Sequence, residues 1–235
     1  MPNTIDVAFD FRSDTPIGKD PDIYSSTLRQ YHKLLWSKLL PNGKSFTLSV
    51  LKTGAYLHHQ SELGEFFLSS DTVIPSFGKW KSMEHIISQL EDGELEEFRG
   101  MSYTMGGMLI FPANRIDGKS TINGARGFNA LIKDRMDLTL ECIRRHYVNE
   151  ESPLTDVLKR YEDFFALFET FKGYVEFFLL QDLVTEDFSA IKFFMRFEDF
   201  KTPAVPKTLN EYVDYKARSI DFVRKRNQRI LGAIV

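Results

Sequence analysis

Phenylalanine most constrains how this chain can fold, because 21 of its 235 residues are Phe. The aromatic rings are densest in residues 164–178, and residues 174–184 are apolar nearly all round. A chain with so many large apolar side chains can bury a sizeable core, which predicts a globular protein rather than a disordered one. No apolar run approaches the roughly 20 residues that cross a bilayer, so the sequence predicts a soluble protein.

The charge and the cysteine content narrow the function classes. The formal net charge is −3, whereas a dedicated nucleic-acid binder is usually basic overall. Cys142 is the one cysteine of the sequence, which excludes an intramolecular disulfide and fits a reducing compartment. The first ten residues have neither a basic region nor a long apolar run, so no secretory signal is expected. These features together predict a cytoplasmic location.

The hydrophobic patterns predict an α+β fold in a single domain, residues 1–235. The β-rich part covers residues 1–120, with a strand at 7–11 and an antiparallel meander of strands at 46–50, 55–57 and 65–68. The helical part covers residues 121–235. It contains a long helix at 123–147, a helix after Ser152-Pro153, an ambiguous segment at 174–184, a strand at 191–197 and a last helix at 209–231. We therefore expect an antiparallel sheet packed against several long helices.

Several segments carry a family resemblance. They are FDFRSDTPIGKDPD (9–22), LRQYHKLLWSKLLPNG (28–43), TINGARGFNALIKDRMDLTLECIRRHY (121–147) and the aromatic stretch 153–184. The chain resembles a family of uncharacterised bacterial proteins, a domain of unknown function, over most of its length. The resemblance implies a bacterial cytoplasmic origin. It carries over no activity and no catalytic residue.

A loop after the predicted strand 105–111 is similar to a phosphate-binding motif. Residues 113–120, ANRIDGKS, follow the Walker A form G-x-x-x-x-G-K-[ST], in which the lysine reaches the phosphates. Ala113 replaces the first glycine, however, and Asp117-Gly118 is a strong turn signal. We therefore predict a turn here, and Lys119 remains the weaker of the ligand-binding candidates.

Arg126 is the stronger candidate for binding an anion. It lies in Asn123-Gly124-Ala125-Arg126-Gly127, at the start of the predicted long helix. An arginine at a helix N-terminus opposes the helix dipole unless an anion is present, and the glycines allow close approach of a ligand. The pattern predicts an anion site that includes Arg126 and Asn123.

A second candidate lies at the end of the first predicted strand. Strand alternation would place Asp10, Arg12 and Asp14 on one face, where they could position a phosphate. The alternative is a turn in which Asp14 caps the loop and Arg12 pairs locally. His58 is a candidate proton carrier, and it would point to the opposite face from His59.

The sequence predicts no metal site. The histidines lack the spacings of zinc ligands. Asp134, Asp137 and Glu141 share a face of the predicted long helix and could hold Mg²⁺, but such a face is usually salt-bridged to neighbouring arginines.

Two functions from different classes remain open. The first is an enzyme or binding protein for a phosphate-bearing ligand, a nucleotide or nucleic acid, with Arg12, Asp14, Arg126 and Lys119 as the anion site. His58, as the proton carrier, and Asp14 are its candidate catalytic residues. The basic last helix, with its interleaved aromatics, keeps nucleic acid among these ligands. The alternative is a non-enzymatic protein that uses the aromatic stretch 164–180 to bind a partner or a second copy in a homodimer. The sequence leaves the cofactor, substrate, reaction and oligomeric state open.

Overall fold

The computed structural model describes residues 4–50 and 56–233 and shows a mixed helical and β structure. Its α-helices are α1 (Pro21–Tyr24), α2 (Ser26–Trp36), α3 (Glu84–Ile87), α4 (Glu94–Ser102), α5 (Ile122–Phe128), α6 (Met136–Tyr147), α7 (Thr155–Arg160), α8 (Glu162–Ala166), α9 (Phe171–Phe177) and α10 (Leu209–Ala233). Short 3₁₀ helices occupy Lys81–Met83, Met105–Gly107 and Gln181–Leu183. Most of the helices fall in the second half of the chain, as predicted.

Six strands form two antiparallel sheets in the described part of the chain. They are β1 (Lys38–Leu39), β2 (Ser45–Phe46), β3 (Ser49–Val50), β4 (Leu57–Ser61), β5 (Gly64–Thr72) and β6 (Met108–Pro112). β1 pairs with β2, and the larger sheet has the order β3-β4-β5-β6. The α+β class with an antiparallel sheet is therefore confirmed. The predicted strand at 55–57 lies partly outside the described residues.

The aromatic residues form the core that the composition predicts. Rings from α8, α9 and the residues between them contact one another, as in the pairs Phe164–Phe168, Phe168–Phe178 and Tyr174–Phe178. Trp36 of α2 packs edge-on against Phe178 at 5.2 Å between ring centroids, which joins the two halves of the chain. The buried residues of both halves form one continuous cluster.

The first predicted strand, residues 7–11, is wrong: the segment consists of turns. Two aspartates stabilise these turns, because the backbone N–H of Ala8 donates to Asp6 and that of Arg12 donates to Asp10. Such side-chain acceptors compete with the pairing of a strand. The prediction that strand alternation aligns Asp10, Arg12 and Asp14 is therefore wrong as well.

The predicted helix 123–147 is two helices, α5 and α6, separated by residues 129–135. Asn129 ends α5, and its side-chain oxygen accepts from the N–H of Leu131, which favours a turn. Lys133 and Asp134 have φ angles of 51° and 61°, in the left-handed region that interrupts a helix. Because of this break, Phe128, which lies within the predicted long helix, is 88 % exposed.

The segments that follow are also shorter than predicted. The helix after Pro153 divides into α7 and α8 at Tyr161, and the ambiguous segment contains the end of α9 and the 3₁₀ helix Gln181–Leu183 rather than a strand. Instead of a strand at 191–197, the structure has one isolated bridge, between Val184 and Ile191. Among the helices of the described residues, α10 is the long one, with 25 residues. Within the described residues, no helix is both long and apolar enough to span a bilayer.

Candidate functional site

Two cavities lie side by side near the C-terminal end of β5. The first, which we call the basic groove, has a volume of about 830 Å³, and its wall includes Arg12, Lys19, Lys79 and Arg99. The second, the acidic cleft, has a volume of about 600 Å³, and its wall includes Asp20, Asp22, Asp71, Asn123 and Asp134. Trp80 lines both. Opposite charges therefore face solvent on either side of one aromatic side chain.

The basic groove carries a surplus of positive charge. Arg12 is neutralised by Asp10 and by Glu96, whose carboxylate oxygen lies 2.7 Å from the guanidinium. The local pairing of Arg12 agrees with the turn that the sequence offered as an alternative. In contrast, the exposed Lys19 and Lys79 form no ion pair within the part of the chain that the structure describes. They are the cations of the groove that can bind a ligand.

The loop that presents Lys79 and Trp80 is held rigidly. The hydroxyl of Tyr215 donates to the carbonyl of Pro75 at 2.8 Å, and that of Tyr212 donates to the carbonyl of Ser76 at 2.9 Å. Phe77 is buried with a φ of 58°, a backbone conformation that costs a bulky residue energy. Its ring packs against Trp80 at 5.1 Å between centroids. The packing of α10 therefore fixes the position of the Trp80 ring.

The acidic cleft is built where β5 ends beside α1 and α5. Asp71 is the second-last residue of β5, Asp22 lies in α1, and Asn123 lies in the first turn of α5. The side-chain N–H groups of Asn123 donate to Ser69 Oγ and to the carbonyl of Ser70. Because a carbonyl can only accept, this bond fixes the orientation of the amide and leaves Asn123 Oδ1 as an acceptor.

Arg126 forms the back of the acidic cleft and is fully buried. Its guanidinium donates to Asp71 Oδ2 at 2.8 Å, to Thr139 Oγ1 at 2.9 Å and to the carbonyl of Asp134 at 2.8 Å. It lies in the last turn of the short helix α5, where a cation is favourable for the helix dipole. The prediction of Arg126 at a helix N-terminus is therefore wrong. The anion that accompanies it is Asp71, which Arg126 holds in place.

Burial makes three of the carboxyl groups of the acidic cleft, those of Asp22, Asp71 and Asp134, unusually weak acids. It raises the pKa of Asp71 to about 7, an effect that the positive Arg126 opposes and the nearby Asp134 reinforces. Burial also raises the pKa of Asp134 and that of Asp22, the latter well above its ordinary value. The side chain of Asp71 is 26 % exposed, so it remains accessible from the cleft. Asp71 can therefore exchange a proton near neutral pH.

Beneath the cleft, Ser70 contacts a buried histidine. His32 Nε2 lies 2.8 Å from Ser70 Oγ, and Trp36 Nε1–H donates to His32 Nδ1. Burial lowers the pKa of His32 to about 3, so the ring is neutral. Since Nδ1 accepts, Nε2 carries the hydrogen and donates to Ser70. His32 cannot take a proton from this hydroxyl, so the pair does not form an activated nucleophile.

The structure places three predicted site residues away from both cavities. His58 of β4 pairs with Glu65 at 2.8 Å, and Asp14 accepts from the N–H of Thr27, near the start of α2. Lys119 is exposed at the end of a turn in which Asp117 and Gly118 both have positive φ, as in a type I′ turn. The predicted turn is present, and neither cavity contains these three residues. Arg12 and Asn123 do line a cavity.

The three carboxylates predicted to share a helix face, Asp134, Asp137 and Glu141, each make different contacts. Asp137 is buried against Arg135, and Glu141 binds Arg144 and Arg145. Asp134 lies outside α6, in the acidic cleft. Across the described residues, no group of three or more His, Cys, Asp or Glu side chains could hold a metal ion.

The alternative surfaces proposed from the sequence are largely buried. Tyr212, Tyr215 and Phe222 of α10 lie in the core, so they cannot stack on bases, and Arg226 is buried under Trp36. The aromatic side chains of the stretch 164–180 are buried within the chain as well. The interaction hypothesis therefore loses the surface on which it was based.

Sequence reasoning missed Trp80, Lys79, Asp22 and Asp71 as site residues. Asp71 belongs to β5 together with Ser69 and Ser70. The one local signal was the polar Ser-Ser-Asp run directly after an apolar strand segment. Lys79 and Trp80 are adjacent in the sequence, and they share cavity walls with Lys19 and Asp22, which were also missed, only through the packing of distant segments.

Comparisons with known proteins agree with the resemblance described above. A family model, described as a family of unknown function (DUF6994), matches residues 5–230. Neither the curated proteins nor the solved structures contain a significant match. Because the family model spans nearly the whole sequence, the chain belongs to DUF6994, a family of unknown function.

Proposed function

We propose that the protein binds, and as an enzyme acts on, a small phosphate-bearing ligand of about nucleotide size at the basic groove. The observation that carries the proposal is that Lys19 and Lys79, which form no ion pair with any described residue, line the same cavity as Trp80. Ammonium groups bind phosphate oxygens through charge-assisted hydrogen bonds, and an aromatic face stacks on a planar or ring-shaped group. The groove therefore offers both parts of a site for a phosphate ester.

The dimensions of the groove favour a small ligand over nucleic acid. A volume of about 830 Å³ is in the range of small-molecule sites. A nucleic acid would need an extended basic surface, and α10 does not supply one with exposed aromatics. We therefore propose a nucleotide or another phosphorylated metabolite as the ligand class.

Asp71 is the proposed proton-transfer group, in place of His58 and Asp14. Its raised pKa is suitable for acid–base chemistry near neutral pH, and Arg126 fixes its orientation. The single, buried Cys142 supports the cytoplasmic setting that forms part of the proposal.

Isothermal titration calorimetry with nucleotides and sugar phosphates tests the proposal. The double variant Lys19→Ala/Lys79→Ala should weaken the affinity for a bound phosphate ester by about tenfold or more, the effect of losing a charge-assisted hydrogen bond. Lys192→Ala, which removes an exposed lysine outside the groove, is the matched control. Unchanged affinity in the double variant, or a failure of every phosphate ester to bind, would contradict the proposal.

A further inference from the structure

The acidic cleft has the opposite chemistry to the groove and needs a ligand of its own. Four aspartates line it, and Arg126 behind it together with Lys133 near Asp134 compensates only part of their charge. Burial raises the pKa values of three of these carboxyl groups, and repulsion from neighbouring carboxylates adds to the effect for Asp22 and Asp71. A cation among them would stabilise their ionised forms.

Two buried acceptors in the cleft point independently to a missing donor. Asp22 Oδ1 and Asn123 Oδ1 are inaccessible to water and accept no hydrogen bond from any described residue. A buried acceptor without a partner costs free energy, so such groups in a native protein usually belong to an incomplete site. Asn123 Oδ1 can only accept, and Asp22 Oδ1 accepts when its carboxyl is ionised, so a cationic donor completes the site and favours the ionised form.

Aromatic side chains rim the same cleft. Phe128 is 88 % exposed and Tyr56 is 43 % exposed, and both line the cavity together with Trp80. The Trp80 ring already attracts one ammonium group, because Lys133 Nζ lies 4.9 Å from its centroid. Carboxylates combined with exposed aromatic faces are the chemistry that recognises an organic cation.

A metal ion fits the cleft less well than an organic cation. Hard divalent cations need several oxygen ligands within about 2.6 Å, and no suitable cluster of side chains occurs in the described ranges. An ammonium group instead donates three hydrogen bonds to acceptors that are further apart.

We propose that the acidic cleft binds an ammonium group, so that the ligand class is a phosphate ester that carries an amino group. This inference rests on the proposed function only for the position of the ligand's phosphate. The ammonium site depends on the acidic cleft alone. The phosphate lies against Lys19 and Lys79, the body of the ligand contacts Trp80, and the ammonium group donates to Asp22 and Asn123.

A matched set of sugars tests the two ends separately by calorimetry at neutral pH. Glucosamine 6-phosphate and glucose 6-phosphate differ in one group, an ammonium or a hydroxyl, and glucosamine and glucose repeat this comparison without phosphate. We expect each amino sugar to bind about tenfold more tightly than its hydroxyl analogue, as for one hydrogen bond to a charged group. Equal affinities within both pairs, or no binding of any of the four, would overturn the inference.

The two proposals fail in different ways in this experiment. If glucosamine binds as tightly as its phosphate, the phosphate proposal fails while the preference for an amine stands. If both phosphates bind equally well, the phosphate proposal stands and the amine site fails. Competition by Mg²⁺ or Ca²⁺ for glucosamine would also overturn the assignment, because it would identify a metal site.

A charge-neutral variant locates the site. Asp22→Asn should lower the affinity for glucosamine 6-phosphate by about tenfold and leave that for glucose 6-phosphate unchanged. Asp92→Asn, an exposed aspartate outside both cavities, is the matched control and should change neither. An equal loss for both sugars in Asp22→Asn would show a general structural effect and refute the assignment. The comparison of ligands on the unmodified protein does not depend on the folding of the variant.

Discussion

Replacing Asp71 by asparagine should change how the stability of the protein depends on pH. Burial raises the pKa of Asp71 from 3.8 to about 7, so between these values the folded chain keeps a proton that the unfolded chain has lost. The contribution of Asp71 to stability must therefore fall as the pH rises from about 4 to 7, and its loss is complete above 7. Asparagine keeps the shape of the side chain and does not titrate.

The size of the effect follows from the shift in pKa. A difference of about three pKa units at about 1.4 kcal/mol per unit gives an upper limit of about 4 kcal/mol. Partial exposure of Asp71 to the cleft lowers this figure. The free energy of unfolding of Asp71→Asn, minus that of the unmodified protein, should thus rise by several kcal/mol between pH 4 and pH 8.

The free energy of unfolding of the unmodified protein is subtracted because His32 changes the stability with pH in the opposite direction to Asp71. Burial lowers the pKa of His32 to about 3, so the unfolded chain binds a proton that the folded chain excludes once the pH falls below about 6.5. This loss of stability in acid is the same in both proteins and cancels. Urea unfolding followed by circular dichroism at closely spaced pH values measures the difference. A difference that stays constant within about 0.5 kcal/mol, as expected for the exposed control Asp92→Asn, would refute the burial of an acid at position 71.

Three further predictions concern the parts of the fold that support the site. Asp137→Asn should lower the free energy of unfolding by about 3–5 kcal/mol in urea titrations, because it leaves the buried Arg135 without its counter-charge; a loss below about 1 kcal/mol would contradict this. Tyr215→Phe should lower the free energy of unfolding by about 1 kcal/mol, because it removes the hydrogen bond to the carbonyl of Pro75. An unchanged free energy of unfolding would show that this bond contributes nothing to stability. Burial raises the pKa of Cys142 to about 12, so a thiol reagent should modify it only after unfolding, and rapid labelling of the folded protein would show that the thiol is accessible.

The α+β class followed from local patterns because alternation and helical spacing depend on neighbouring residues. The residues at which the helices begin and end did not follow from these local patterns. The break between α5 and α6 depends on Arg126 Nη2, which donates to the carbonyl of Asp134, and on the N–H of Asp134, which donates back to the carbonyl of Arg126. Such contacts outweigh the helical propensity of the segment, and periodicity does not record them.

The sequence correctly selected Arg126 as an unusual residue but gave the wrong reason. A charged side chain flanked by glycines suggested a ligand site, whereas the structure buries it to hold Asp71. Its partner lies 55 positions earlier in the chain, at the end of a strand, so no local motif could identify the pair. The lysines of the groove were equally invisible, since an exposed lysine has no distinguishing pattern until the fold places Lys19 and Lys79 in the wall of one cavity.

A structure of the protein crystallised with glucosamine 6-phosphate tests the central claim most directly. We predict that the phosphate oxygens lie within hydrogen-bonding distance of Lys19 or Lys79 Nζ, with the sugar ring against Trp80 and its amino group in the acidic cleft. Phosphate bound elsewhere, with Lys19 and Lys79 free of contacts in the presence of saturating ligand, would contradict the claim that the basic groove is the ligand site.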